Sequence, residues 1–259
     1  MQSKVVVVTG ASAGIGAALA ERLGGRGASV VLVARREKEL GEVAARAGAK
    51  ALPVPADVTR RADVERARDA ALERFGHIDV WVNNAGRGIS RPVSELTDGD
   101  VDEMMTTNVK SALYGMQAVL PHFKARKLGH IVNVSSLLGR LPLAPFRSAY
   151  SASKHALNSL TSNLRVELRD EFPGIHVSTV HPGVVATAFG VNALHGGVDS
   201  RQMPGAQSAD AVAAVIADVI ETPRADVYTF PTARSMVAAY YAAEDMAVAE
   251  AGFSRPPVR

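Results

Sequence analysis

A chain of 259 residues, 47% hydrophobic and 21% charged, is long enough for one large α/β domain and has an ordinary globular composition. Its formal net charge of +3 comes from scattered arginines with no basic stripe among aromatics, so nucleic-acid binding has no support. The absence of cysteine excludes disulfides and thiolate chemistry, the seven histidines show no metal-ligand spacing, and no apolar run reaches the ~18 residues of a membrane span.

Val5-Val6-Val7-Val8 is a β-branched run ending at Thr9-Gly10, and it reads as a strand buried on both faces. It follows Met1 almost directly and leaves no room for a cleavable signal, so a soluble cytoplasmic protein is expected. A glycine-punctuated turn then leads into a helix on which Ile15, Leu19 and Leu23 share one face. Strands follow at 30–33, 51–54, 78–82, 130–134 and 176–180, with a seventh at 227–230. Helices are expected at 36–47, 60–75, over 100–127 as one or two pieces, from the region of Tyr150 to about 170, at 208–221, and at 233–250. Strands alternating with helices imply βαβ crossovers and a parallel sheet. With no repeat or linker, 1–259 reads as a single Rossmann-type α/β domain, a doubly wound parallel sheet of about seven strands with helices on both faces. Residues 183–207 carry five glycines without clear periodicity and read as a substrate loop; 252–259 read as an exposed tail.

Two local patterns carry chemistry. The first is Thr9-Gly10-Ala11-Ser12-Ala13-Gly14-Ile15-Gly16, between a strand and a helix. Gly10 permits a tight turn, Gly14 lets the backbone approach a pyrophosphate, and Gly16 lets the helix pack near the sheet. The helix N-terminus, entered through Ser12, Ala13 and Ile15, offers free N–H groups to phosphates. At the end of the second strand, where an acidic residue takes the ribose hydroxyl in NAD-binding folds, the chain has Ala34, followed by Arg35 and Arg36. A guanidinium suits a 2′-phosphate, so NADP(H) is expected; the alternative is that both arginines solvate the next helix. The second pattern is Tyr150 and Lys154, four apart and on one face of a helix. A cation beside a phenol lowers its pKa and makes it a general acid/base; the alternative is a solvated helix face.

Taken in order, Thr9-Gly10-x3-Gly14-x-Gly16, Asp57-Val58, Asn83-Asn84-Ala85-Gly86, Asn108, Ser136, Tyr150-x3-Lys154 and Pro182-Gly183-x3-Thr187 resemble the short-chain dehydrogenase/reductase family in its single-domain branch. The resemblance implies that Tyr150 is the catalytic acid/base. Lys154 would lower its pKa and hold the nicotinamide ribose, and Ser136 would orient the substrate oxygen. Asn108 would be the helix-kink residue that anchors a water in a proton relay. It further implies adenine contacts from Asp57 and Val58, a cofactor wall at Asn84, Ala85 and Gly86, and carboxamide contacts along Pro182, Gly183, Val185 and Thr187. Singly, Asp57 reads as a turn residue, Asn108 as a helix cap and Pro182-Gly183 as a turn. In the family the serine usually lies thirteen residues before the tyrosine, whereas Leu137 stands there in this chain; one extra loop residue between Leu137 and Arg147 restores the register for Ser136.

The function expected is NADP(H)-dependent interconversion of a hydrophobic ketone or aldehyde and an alcohol. The substrate wall would be Leu137, Leu138, Leu143, Phe146, Val184, Val185, Phe189 and Leu194. The alternatives are reduction of a carrier-bound 3-oxoacyl group, drawn by Arg87, Arg91 and Arg140, and a non-catalytic NADP(H)-binding sensor. Apolar residues on more than one face of the helices at 108–126 and 151–168 (Ala112, Met116, Ala156, Leu160, Leu164) point to a homo-oligomer, a tetramer or dimer.

Overall fold

A computed structural model describes residues 1–253. Seven parallel strands run β1 (Val5–Thr9), β2 (Ser29–Ala34), β3 (Ala51–Pro55), β4 (Val80–Asn83), β5 (Gly129–Val134), β6 (Ile175–His181) and β7 (Asp226–Tyr228). Their order in the sheet is β3-β2-β1-β4-β5-β6-β7. The valine run of β1 is buried on both faces because alternate side chains feed two cores. Val6 and Val8 join Leu19, Leu23, Leu40 and Ile216 on one side. Val7 joins Trp81, Val119, Phe123 and Ile131 on the other.

The first core lies under α1 (Gly14–Gly25), α2 (Glu37–Ala47) and α7 (Ala209–Glu221); the second lies under α3 (Arg61–Phe75), α5 (Ser111–Arg126) and α6 (Ser148–Leu168). α4 (Asp98–Met105) starts with a reciprocal cap, in which Thr97 Oγ1 accepts from the Asp100 amide while Asp100 accepts from the Thr97 amide.

Two elements differ most from expectation, while the segment 100–127 takes the two-piece form. β4 starts at Val80 rather than Ile78, because Asp79 turns back on β1: its carboxylate accepts the Val5 N–H at 2.8 Å, and its own N–H donates to the Val5 carbonyl. The segment 100–127 is divided by a π-turn at Thr106–Lys110. The expected helix 233–250 is two helices, α8 (Ala233–Tyr241) and α9 (Met246–Ala251), because the Asp245 carboxylate caps a new start by accepting from the Ala247 N–H. Within the expected tail, Gly252 is exposed and Phe253 half-buried, and 254–259 lie outside the described residues. Among the described residues no helix is long and apolar enough to cross a membrane.

Candidate active site

The strand order reverses between β1 and β4, and open α/β sheets bind ligands at such a point, beyond the carboxyl ends of the strands. Gly10 stands there at φ +66°, left-handed, and a side chain on it would strike the Ala85 backbone at 2.8 Å. Gly14, also left-handed, opens α1, and Gly16 is buried in its first turn; no side chain caps this N-terminus at Ala13. The turn therefore fits a pyrophosphate, with unclaimed first-turn N–H groups and the positive end of the helix beneath it. Thr187 crosses directly above Gly14, its methyl 3.3 Å from where a Cβ would stand, so the Pro182–Thr187 segment closes over the turn. The Pro182 carbonyl accepts the Leu137 N–H at 2.8 Å, Gly183 lies against the Phe230 ring, and Val185 pairs with Gln207.

The remaining cofactor candidates divide into held and free groups. Arg36 donates to Ser12 Oγ at 3.0 Å and pairs with Glu39 at 3.5 Å. Arg35 is exposed and has no carboxylate partner among the described residues. Asp57 Oδ1 accepts from both the amide and the hydroxyl of Thr59, which is the turn reading of that residue, and Val58 packs on the second core. The Asn84 side-chain amide donates to the Thr9 carbonyl at 2.9 Å. Thr9 Oγ1 in turn accepts the Asn84 and Ala85 N–H groups, so Asn84 splints the glycine turn from beneath. Thr9 heads the glycine motif in the sequence, and its role in splinting the turn is visible only in the fold.

Tyr150 and Lys154 lie one turn apart on α6, both buried. Lys154 Nζ donates to the Val134 carbonyl at 2.9 Å and stands 5.7 Å from the Tyr150 ring centre. Side-chain alternation at the end of β5 separates the two serines. Ser135 Oγ donates back to the Lys154 carbonyl, whereas Ser136 Oγ faces the other way and accepts the Leu138 N–H at 3.1 Å. Ser148 is the first residue of α6, and its hydroxyl donates to the Arg91 carbonyl at 2.6 Å. Asn108 sits in the π-turn rather than at a helix end. Its Oδ1 accepts from the Arg87 amide, and its Nδ2 donates to the Arg87 carbonyl and to Ser153 Oγ. Gly86 passes close above this group, 2.9 Å from Asn108 Oδ1 and 3.6 Å from Lys154 Nζ if it carried a Cβ.

Electrostatics correct one expectation. Burial pushes the Tyr150 phenol up to about 12, and the hydrogen bond from Ser136 and the Arg147 charge oppose it only in part. Burial pulls Lys154 itself down to about 8. Behind Ser136, buried His181 links the Ser136 carbonyl at 3.3 Å to Asp226 at 3.1 Å, and Asp226 is held down to about 2, chiefly by that histidine.

The expected substrate wall also splits. Leu138, Phe189 and Leu194 pack around Tyr150, joined by Ile89, Leu96 and Met104, which the sequence did not single out. Leu137 and Leu143 instead join Leu141, Tyr228, Phe230 and Tyr240, and Val185 packs on the first core. The loop 183–207 is stitched down: the Leu194 N–H donates to the Gly88 carbonyl and the Ser90 N–H to the Leu194 carbonyl.

A parallel sheet of this order, a glycine turn at its reversal point and a buried tyrosine–lysine–serine group on its carboxyl edge define a Rossmann-like oxidoreductase. The short chain dehydrogenase family model matches residues 4–195, and the chain belongs to that family. It is 38% identical over 187 residues to an uncharacterized oxidoreductase of Staphylococcus epidermidis, covering 72% of this chain and 80% of that one. Among solved structures it resembles a short chain dehydrogenase/reductase from Burkholderia phymatum in complex with NAD (28% identity, TM-score 0.86, covering 100% of this chain and 99% of that one). It also resembles a 3-ketoacyl-(acyl-carrier-protein) reductase from Brucella melitensis complexed with NADH (30% identity, TM-score 0.78, covering 88% and 98%).

Proposed function

We propose that this oxidoreductase interconverts a hydrophobic ketone or aldehyde and the corresponding alcohol, with NADP(H) as its cofactor. The observation that carries the reading is the buried Tyr150, one turn from buried Lys154, inside an apolar wall of Ile89, Leu96, Met104, Leu138, Phe189 and Leu194. The nicotinamide, when bound, supplies or accepts the hydride. Tyr150 gives a proton to the carbonyl oxygen during reduction and takes it back during oxidation, while Ser136 donates a hydrogen bond to that oxygen. Lys154, facing Gly86, would hold the nicotinamide ribose. A screen of ketones and secondary alcohols with both nicotinamide cofactors, read at the nicotinamide absorbance, tests the assignment. Turnover of sugars or charged acids but no hydrophobic pair would overturn it.

The preference for the phosphorylated cofactor rests on Ala34-Arg35 and not on the two structural neighbours, whose complexes hold NAD and NADH. Arg35→Ala is expected to weaken NADPH binding by about one to two decades, the ~1.5–3 kcal/mol of a charge-assisted hydrogen bond, with NADH binding unchanged. A fluorescence titration giving equal losses for the two cofactors would refute this.

The carrier-bound reading loses the feature that favoured it, because each arginine already has an acid: Arg87 with Glu103, Arg91 with Asp100 and Arg140 with Asp226. The chain is further proposed to form a homo-oligomer through α6. Ala112 and Met116 belong to the chain's own core and Leu164 is half-buried against it, so the apolar groups offered outward are Leu160 and Val166. Light scattering at micromolar concentration is expected to give a multiple of the monomer mass, and a monomer would exclude the assembly.

A further inference from the structure

Asp100 is a buried carboxylate on which three segments around the pocket converge. It lies in the first turn of α4, where its Oδ2 accepts the Thr97 N–H at 3.0 Å and Arg91 Nη1, from the loop after β4, at 2.9 Å. Its Oδ1 accepts from His195 Nε2, in the substrate loop, at 2.6 Å, and no other donor reaches that oxygen among the described residues. A carboxylate oxygen buried without a donor is unfavourable. The second oxygen of Asp100 is therefore satisfied only while the loop lies against α4.

The same two segments meet inside the pocket. Met104, one turn after Asp100 on α4, and Leu194, the residue before His195, both belong to the apolar cluster around Tyr150. Leu194 is held at both ends of its backbone: its N–H donates to the Gly88 carbonyl at 2.8 Å, and its carbonyl accepts the Ser90 N–H at 2.9 Å. Phe189, earlier in the loop, meets the Tyr150 ring edge-on at 5.4 Å. Helix and loop thus each give one apolar side chain to the pocket and one hydrogen-bonding side chain to its rim. His195 makes its contact at φ +64°, a left-handed conformation unfavourable for a residue with a Cβ. Such strain persists where the contact made there offsets it.

We propose that His195 is a positioning residue for the substrate. Its bond to Asp100 fastens the substrate loop to α4, seats Leu194 and Phe189 beside Tyr150, and so sets the affinity for the apolar part of the substrate. The inference rests on the reading of the pocket around Tyr150 as the site of carbonyl reduction. His195 stands at the rim and acts through Leu194, so its loss weakens substrate binding and spares the chemical step. A loop that is closed for a smaller fraction of the time lowers the apparent affinity by that fraction.

The test compares His195→Asn and His195→Gln with the parent protein, using acetophenone and NADPH. Asparagine tolerates the left-handed backbone, but its amide nitrogen stands where the imidazole carries Nδ1 and falls short of Asp100; glutamine extends a donor to the position of Nε2. His195→Asn is expected to raise KM about tenfold with kcat and cofactor affinity retained, and His195→Gln to recover most of the parent KM. A second measurement needs no substrate. Amide hydrogen exchange at Leu194, whose N–H donates to the Gly88 carbonyl, should run about tenfold faster in His195→Asn and near the parent rate in His195→Gln. A parent-like KM and Leu194 exchange rate in His195→Asn, equal effects in the Asn and Gln variants, or a loss of kcat at unchanged KM would overturn the inference. Turnover surviving in Tyr150→Phe would instead overturn the reading of the pocket, and the exchange rates would still decide whether His195 fastens the loop.

Discussion

Tyr150→Phe is expected to reduce turnover by about 10²–10⁴, the range for loss of a general acid/base, while cofactor affinity stays nearly unchanged. The substitution removes one oxygen from a buried site, so packing against Phe189 is retained. The sign of the pH dependence follows from burial, which raises the phenol to about 12. Below that value Tyr150 is protonated and ready to donate, so reduction is lost only as pH rises through it. Oxidation needs the other form and gains with each pH unit on the way up. Ser136→Ala removes the donor that partly offsets burial and should postpone the gain in oxidation to still higher pH, whereas Ser135→Ala removes only a bond to the Lys154 carbonyl. Stopped-flow reading of the nicotinamide absorbance separates these outcomes. A dead Ser135→Ala beside a fully active Ser136→Ala would show that the wrong serine has been assigned.

Lys154→Met is expected to be inactive and weaker in cofactor binding, yet more stable than the parent protein at neutral pH. Burial lowers Lys154 from an ordinary 10.5 to about 8, so the folded state binds fewer protons than the unfolded one between those values. The destabilisation from burying the charge is therefore complete below pH 8, falls as pH rises, and is gone above 10.5. The shift corresponds to about 3 kcal/mol; losing the hydrogen bond to the Val134 carbonyl offsets about 1 kcal/mol, leaving a net gain of about 2 kcal/mol at pH 7. Thermal melts at pH 7 and pH 10.5 test this: the Met variant should lead at the lower pH and lose that lead at the higher. A variant less stable than the parent at pH 7 would show that the ammonium is held by more than one carbonyl.

The fold was legible because its central strands β1 and β2 are short apolar runs bounded by turn residues, and a strand buried on both faces needs nothing subtler than β-branched side chains. The places where expectation failed share a cause. The late start of β4 depends on a carboxylate, Asp79, whose partner Val5 lies 74 residues away. The break between α8 and α9 comes from a cap at Asp245, inside what otherwise reads as a continuous helical run. A side chain's choice of partner, whether across the fold or two residues on, leaves no periodic trace along the chain.

The sequence by itself determined the parallel sheet, the glycine turn at the end of β1 and the placing of Tyr150 and Lys154 on one helical face, because each is a property of neighbouring residues. Tertiary structure alone decided the rest. It turned Ser135 to the Lys154 carbonyl and Ser136 the other way, drew Ile89 and Met104 into the wall around Tyr150, and moved Leu137 and Leu143 out of it. It also set the sign of the Tyr150 shift. A motif read along the chain shows a cation one turn from a phenol, but it cannot show that both are buried or that the ammonium reaches back to Val134. Desolvation depends on what surrounds a group from every side, and only the folded chain supplies that surrounding.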